Sequence, residues 1–412
     1  MEGVTAGGAV TARAARWGLA LLTLVNLVNY LDRYIVAALV TSLKKVPGFH
    51  LSDARAGSLM TGFVLVYLAT SPIFGALGDR RSRPALVALG VGLWSVATML
   101  SGLARSFLGL FAARAAVGVG EAAYATIAPA LLADYFPHSS RGRAFSVFYA
   151  AIPVGAALGY VAGGLVAARW GWRAAFLVAG GPGLLAALAL LGLPDPPRGV
   201  LDEAPAARAG AVRLARNVPY LVTVAGYAAY TFGLGGLAFW MPAFLTRVRG
   251  VSEAQATVRF GTIVVVTGFA GTFAGGWLGD RLLARTRQAY LWVSGVTTLA
   301  AAPLALVALR AKGEGVAFAA LAAAELLAFA STGPINSAIV NVVAPEVRAT
   351  AVAISILAIH LLGDVPSPVL VGALSDAASL RDAIQILPAA LLAGGLVWTA
   401  GAAIGSRRGW AS

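Results

Sequence analysis

Ionisable side chains stand inside long apolar runs of this sequence, among them Asp32, Arg33, Arg114, Glu121, Glu325 and His360. An ionised group at the centre of a bilayer costs about 2.5–3.5 kcal/mol on insertion scales, so each needs a partner, a wet cavity or a task. The chemistry open to them is narrow. A carboxylate held by a guanidinium keeps its charge, whereas one that loses its cation in apolar surroundings takes up a proton. Arginine suits phosphate and carboxylate head groups through its planar fork of donors. Asp32 lies eleven residues before Leu43, roughly 16 Å from that end of a helix. Arg114 and Glu121 lie seven and fourteen residues past Phe107, roughly 10 and 21 Å along theirs. The depths overlap, and the seven-residue spacing puts Arg114 and Glu121 on one helix face. Glu121 is therefore the expected principal proton carrier, coupled to Asp32. Arg33 and Arg114 are expected to alternate between these acids and an anionic head group in a solvent-reached cavity. A static ion pair that only fixes helix packing is the alternative. Glu325 has no cation near it in sequence, and His360 either titrates near neutrality or serves as a hydrogen-bonded structural residue.

The elements that must position these residues follow from composition. Of 412 residues, 59% are hydrophobic and 12% charged, with a mean hydropathy of +0.81. So few polar groups cannot cover the surface of soluble domains, and so apolar a chain is not disordered. The 49 glycines and 19 prolines show no three-residue period, which excludes collagen. The absence of cysteine removes disulfides, thiolate metal sites and cysteine nucleophiles. No metal-ligand spacing appears and no Gly-rich loop follows a strand, so no metal or cofactor is expected. The net charge of +14 is spread in short basic clusters between apolar segments. That pattern marks loops beside an anionic leaflet rather than a nucleic-acid face.

Twelve apolar segments of spanning length can be drawn, and helices are forced because lipid offers the backbone no partner. The expected organisation is a six-helix bundle at 17–193, a cytoplasmic linker at 194–219 and a second six-helix bundle at 220–404. The linker is rich in proline and arginine, including Pro205, Arg208 and Arg213. The first apolar run follows Arg13 and Arg16 and is too long for a cleaved signal core, so it is read as a retained span. Gly75-Ala-Leu-Gly-Asp-Arg80 recurs as Gly276-Trp-Leu-Gly-Asp-Arg281, close to half a chain later, and Pro137 with Arg141 has a looser echo in Pro345 and Arg348. This is the mark of duplicated halves. A modest arginine excess on the face carrying both termini places them in the cytoplasm, as in a bacterial inner membrane.

Twelve spans, a central linker and the repeated Gly-x-Leu-Gly-Asp-Arg loop resemble the major facilitator superfamily. Asn29-Tyr-Leu-Asp-Arg33, Gly118-Val-Gly-Glu-Ala-Ala-Tyr124, Ile127-Ala-Pro-Ala-Leu-Leu-Ala-Asp134 and His360-Leu-Leu-Gly-Asp-Val-Pro-Ser-Pro368 resemble its Spinster-like branch. The resemblance implies an all-α fold of two pseudo-symmetric bundles. It also implies a secondary transporter, working by alternating access, that moves a lysophospholipid or sphingoid lipid, coupled to protons. Tyr124 is among the aromatics expected around the cavity. Gly78, Asp79, Arg80 and Arg83 read as a cytoplasmic latch with Asp134 as partner, and Asp280 and Arg281 as its second copy. Topogenic positive charge alone is the alternative for both loops. Asp364, Pro366 and Pro368 match the family and suggest a kink or gate. The fifth span's Gly155, Gly159, Gly163 and Gly164 permit close helix contact. The same residues would serve an exporter of drugs or small organic anions. A non-transporting sensor would need an output domain for which the short termini leave no room. An intramembrane enzyme would need more than His50, His138 and His360. A monomer is expected, with protons, membrane lipids and an amphipathic or organic-anion substrate as partners and no nucleic acid.

Overall fold

A computed structural model describes residues 10–198, 214–344 and 347–408. Pro205, Arg208 and Arg213 of the linker, and Pro345 of the second-half echo, lie outside the described residues. The chain forms an all-helical membrane fold. In order, the helices are α1 (Ala12–Lys44), α2 (Asp53–Gly78), α3 (Arg83–Leu103), α4 (Phe107–Tyr135), α5 (His138–Leu190), α6 (Val218–Arg247), α7 (Glu253–Leu283), α8 (Ala289–Arg310) and α9 (Glu314–Phe329). Then come α10 (Thr332–Asn341), α11 (Arg348–Ile359), a π turn (His360–Asp364), α12 (Pro366–Ala377), α13 (Leu380–Ala383) and α14 (Ile386–Arg408).

Among the described residues, eleven helical stretches are long and apolar enough to cross a bilayer. The twelfth expected span is inside α5. Its 53 residues would reach about 80 Å at the helical rise, against a hydrocarbon core of about 30 Å. At Gly171 the backbone takes φ 82° and ψ 163°, a conformation in which a Cβ would be strained. Two spans therefore meet there with no loop between them. Elsewhere the ends follow local chemistry. Thr11 caps α1 by accepting from the Ala14 N–H at 3.3 Å, and Ser106 caps α4 by accepting from Gly109 at 3.2 Å. Pro366 and Pro368 each remove a helical donor, and the ladder slips to a Val365 N–H to His360 carbonyl bond of 2.9 Å. The expected break in the eleventh span is this π turn.

The described residues divide into two compact units. One holds residues 10–198 except Asp53–Gly57, together with Leu245–Gly261; the other holds Asp53–Gly57 and the rest. In the first unit α5 lies against α1 along its glycine stripe. A Cβ on Gly155 would run into the Leu27 carbonyl and Tyr30, and one on Gly159 would press on the backbone of Leu31. The α3 and α4 backbones approach as closely at Gly90 and Gly120. Gly180 of α5 is equally tight against Ser95 and Met99 of α3. Small residues let these backbones pack by dispersion in a solvent as apolar as themselves. In the second unit the Trp398 indole of α14 donates to the Thr223 carbonyl of α6 at 2.9 Å. Gly226 makes the space for that ring.

Gly159→Leu is expected to destabilise the protein by about 1–3 kcal/mol through overpacking, read as a lowered thermal midpoint in detergent. Gly181→Ala, where nothing lies within 4 Å of the added methyl, leaves that midpoint unchanged or raised. Equal midpoints for the two variants would show that the glycine seam does not set the packing distance.

Candidate functional site: a buried charge cluster

The first unit gathers Asp32 and Arg33 from α1 with Arg114 and Glu121 from α4. The pairing is crosswise. Arg33 Nη2 donates to Glu121 Oε2 at 2.7 Å, and Arg114 Nη1 donates to Asp32 Oδ1 at 3.2 Å. Thr98 of α3 adds its hydroxyl to Asp32 Oδ2 at 2.7 Å. The α2 helix closes the cluster: Gly118 of α4 lets the Phe63–Tyr67 turn come close. The Arg33 guanidinium then lies 4.9, 5.1 and 5.7 Å from the ring centres of Tyr30, Phe63 and Tyr67, and Arg114 lies 5.9 Å from Phe63. Ring quadrupoles attract a desolvated cation at these distances.

Two acids and two guanidinium groups sum to zero formal charge, which is how such groups are tolerated away from water. The hydrogen bonding is incomplete. Glu121 Oε1, Arg33 Nε, Arg114 Nε and Asn29 Nδ2 are buried with no partner among the described residues. Each orphan leaves a place for a proton, a water or a ligand atom. Burial is uneven: the Asp32, Arg114 and Glu121 side chains are 1, 1 and 0% exposed, and Arg33 13%. Arg114 is enclosed by Asp32 and Phe63, and Arg33 is the most exposed of the four.

Tyr124 takes a packing place. Its hydroxyl donates to the Leu22 carbonyl at 2.7 Å, and its ring meets Trp94 and Phe148. In the second unit Glu325 is 3% exposed and has no ion-pair partner among the described residues. One turn on, the Ala328 carbonyl accepts from the Tyr230 hydroxyl at 3.0 Å. His360 Nδ1 lies 2.6 Å from Asp364 Oδ2, so the two side chains close across the π turn. Gly235 makes room for that carboxylate, and the Pro368 carbonyl accepts from the Trp240 indole at 3.0 Å.

The loop between α2 and α3 is held by Arg83. Its guanidinium pairs with Asp134, donates to Asp195 Oδ1 at 2.8 Å and reaches the Pro196 carbonyl at 2.6 Å. The Asp134 pairing is the expected one. Asp195, and Arg198 donating to the carbonyls of Gly78 and Arg81 at 2.8 and 2.7 Å, were not foreseen. Both belong to the polar segment read only as linker. The side chains of Asp79 and Arg80 form no hydrogen bond or ion pair among the described residues. In the second copy, Asp280 accepts from the Tyr290 hydroxyl at 2.8 Å and Arg281 lies 5.5 Å from the Trp277 ring centre. Thr98, Phe63 and Tyr67 also escaped the sequence reading. Their signal, a hydroxyl and an i, i+4 aromatic pair on neighbouring spans, is common in membrane helices.

Comparison with known proteins places most of the chain beside one family. The profile of the Major Facilitator Superfamily matches residues 22–368. Protein spinster of Drosophila melanogaster is 36% identical over 372 residues, which is 86% of this chain and 61% of the fly protein. The chain thus spans less than two thirds of that relative's length. Protein spinster homolog 3 of Danio rerio is 35% identical over 395 residues, 90% of this chain and 78% of that protein. The crystal structure of a bacterial homologue of the human lysosomal transporter Spinster, inward-facing and unoccupied, matches with a TM-score of 0.87 at 24% identity, covering 98% of this chain and 99% of that one.

Removing the Arg83 cation strands two acids. Arg83→Gln is expected to cost about 3 kcal/mol, measured by thermal or chemical denaturation. Adding Asp134→Asn to it should recover part of the loss. Additive losses in the double variant would mean that the two side chains do not interact energetically.

Proposed function

The chain belongs to the major facilitator superfamily, in its Spinster-like branch, and from this premise we propose that it moves an anionic amphipath such as a lysophospholipid or sphingoid lipid across a membrane. Alternating access between two six-helix bundles, bounded as 17–193 and 220–404, is the mode of transport. Protons are the coupling ion. The observation that carries this reading is the Arg33–Glu121 pair, 2.7 Å long, in which the acid is wholly buried and the guanidinium partly exposed.

The physical logic is one of competing partners. With Glu121 ionised, Arg33 is held by it. When Glu121 takes a proton, the charge that holds Arg33 is gone, and the guanidinium is free to bind a phosphate or carboxylate. Loss of the proton reverses the exchange. Arg114 and Thr98 hold Asp32 in place beside that pair, which couples it to the proton on Glu121. The rings of Tyr30, Phe63 and Tyr67 give a released Arg33 an apolar wall, which favours a ligand with a hydrocarbon part next to its charge. The Arg83–Asp134–Asp195 junction acts as the latch, formed in one conformational state and broken in the other. The His360–Asp364 turn supplies a gate in the eleventh span. The protein works as a monomer in a bacterial inner membrane with both termini in the cytoplasm.

Proteoliposomes loaded with radiolabelled lysophospholipid, assayed with and without a pH gradient, test the reading. Wild-type flux should depend on the gradient. Glu121→Gln should lose that dependence, with a fall in driven flux of at least tenfold, while still inserting in the membrane. A variant that keeps its gradient response would remove Glu121 from the coupling role. Robust flux of a drug or small organic anion with none of lysolipid would favour an exporter of those compounds.

A further inference from the structure

A positively charged site lies at the far end of α1, toward its N-terminus. The first turns of α1, the end of α4 and the first turns of α5 surround a cavity of about 510 Å³. From α1 come Ala15, Arg16 and Leu19, and from α5 come Arg143, Ala144 and Val147. Among the described residues, no acidic side chain lines it. Arg16 spends one donor on the Ala12 carbonyl, at 3.3 Å. Arg143 has no hydrogen bond or ion pair among the described residues. Two guanidinium groups thus face one largely apolar cavity with no carboxylate among the described residues of its lining. Trp17, the chain neighbour of Arg16, is 57% exposed, and Val147 of the cavity lining 51%. An exposed tryptophan next to arginines is the usual mark of the level where hydrocarbon meets head groups.

We propose that this cavity holds a resident anionic phospholipid, its phosphate engaged by Arg16 and Arg143 and an acyl chain laid along Leu19 and Val147. A free inorganic anion would satisfy the arginines but leave the apolar wall without a partner, whereas a phospholipid satisfies both. Basic pockets between membrane helices take acidic lipids for the same reason. The site is separate from the Asp32–Arg33–Arg114–Glu121 cluster and does not depend on what the protein transports. Because its walls come from α1 and α5, an occupant adds a strap across the ends of two helices that otherwise meet along glycines.

Native mass spectrometry of the purified full chain, incubated with phosphatidylglycerol or with phosphatidylcholine, tests the proposal. The wild type should retain phosphatidylglycerol in preference to phosphatidylcholine, and millimolar inorganic phosphate should not displace it. Arg16→Gln with Arg143→Gln should weaken retention roughly thirtyfold, from about fivefold per guanidinium at a membrane surface. Val147→Trp, which fills the mouth and leaves both charges, should weaken it as well. Glu121→Gln should not change it. Equal retention of the two lipids by the wild type, which needs no variant to fold, overturns the proposal. So does displacement by inorganic phosphate, or undiminished retention in the double glutamine variant.

Discussion

Four charges are tolerated in this fold because they cancel at short range. Asp32 with Arg114, and Glu121 with Arg33, form two ion pairs between the same two helices. Taken singly, each ion would strongly disfavour insertion. Taken together they form a neutral cluster whose members must stay within hydrogen-bond reach of each other. That requirement fixes the register of α1 against α4, and the glycines on α3, α4 and α5 are what allow the backbones to come close enough to meet it. Glu121 and both arginines each keep one buried polar atom with no hydrogen-bond partner among the described residues.

The same economy appears where polar segments leave the hydrocarbon. Arg83 is 3% exposed despite sitting at the start of a helix, because two carboxylates and a carbonyl converge on it. Its partners come from α4 and from the segment just after α5, so one side chain ties three parts of the first unit. In the second unit the corresponding loop is built differently, with a tyrosine on the acid and a tryptophan beside the arginine. A repeated sequence motif has acquired two local chemistries, since the surroundings of each copy supply different partners.

Much of this was legible from residue types. Continuous apolar runs forced helices, and the depth arithmetic for Asp32, Arg114 and Glu121 brought the right residues to one level. Crosswise pairing was not legible, because the rotation of α1 about its axis is set by its contact with α5 and not by its own sequence. The aromatic wall around Arg33 was equally hidden: which face α2 presents depends on where Gly118 lets it approach. The span count was read correctly, although two spans meet at the Gly171 kink with no loop between them. The deep enclosure of Arg114 was not legible either, since burial by neighbours is a tertiary property that depth along one helix does not encode.

The joint at Gly171 carries a mechanical implication. The first arm of α5 is seated on α1, the helix that bears Asp32, and the second arm is seated on α3, which bears Thr98. With no loop to give slack, the two arms and the helices beneath them make a triangulated truss. The carboxylate of Asp32 is at its apex, carried by α1 and held by the Thr98 hydroxyl of α3 and the Arg114 guanidinium of α4. A tilt of either arm is geared to the other, and the length of that hydrogen bond becomes a gauge of how the frame is loaded.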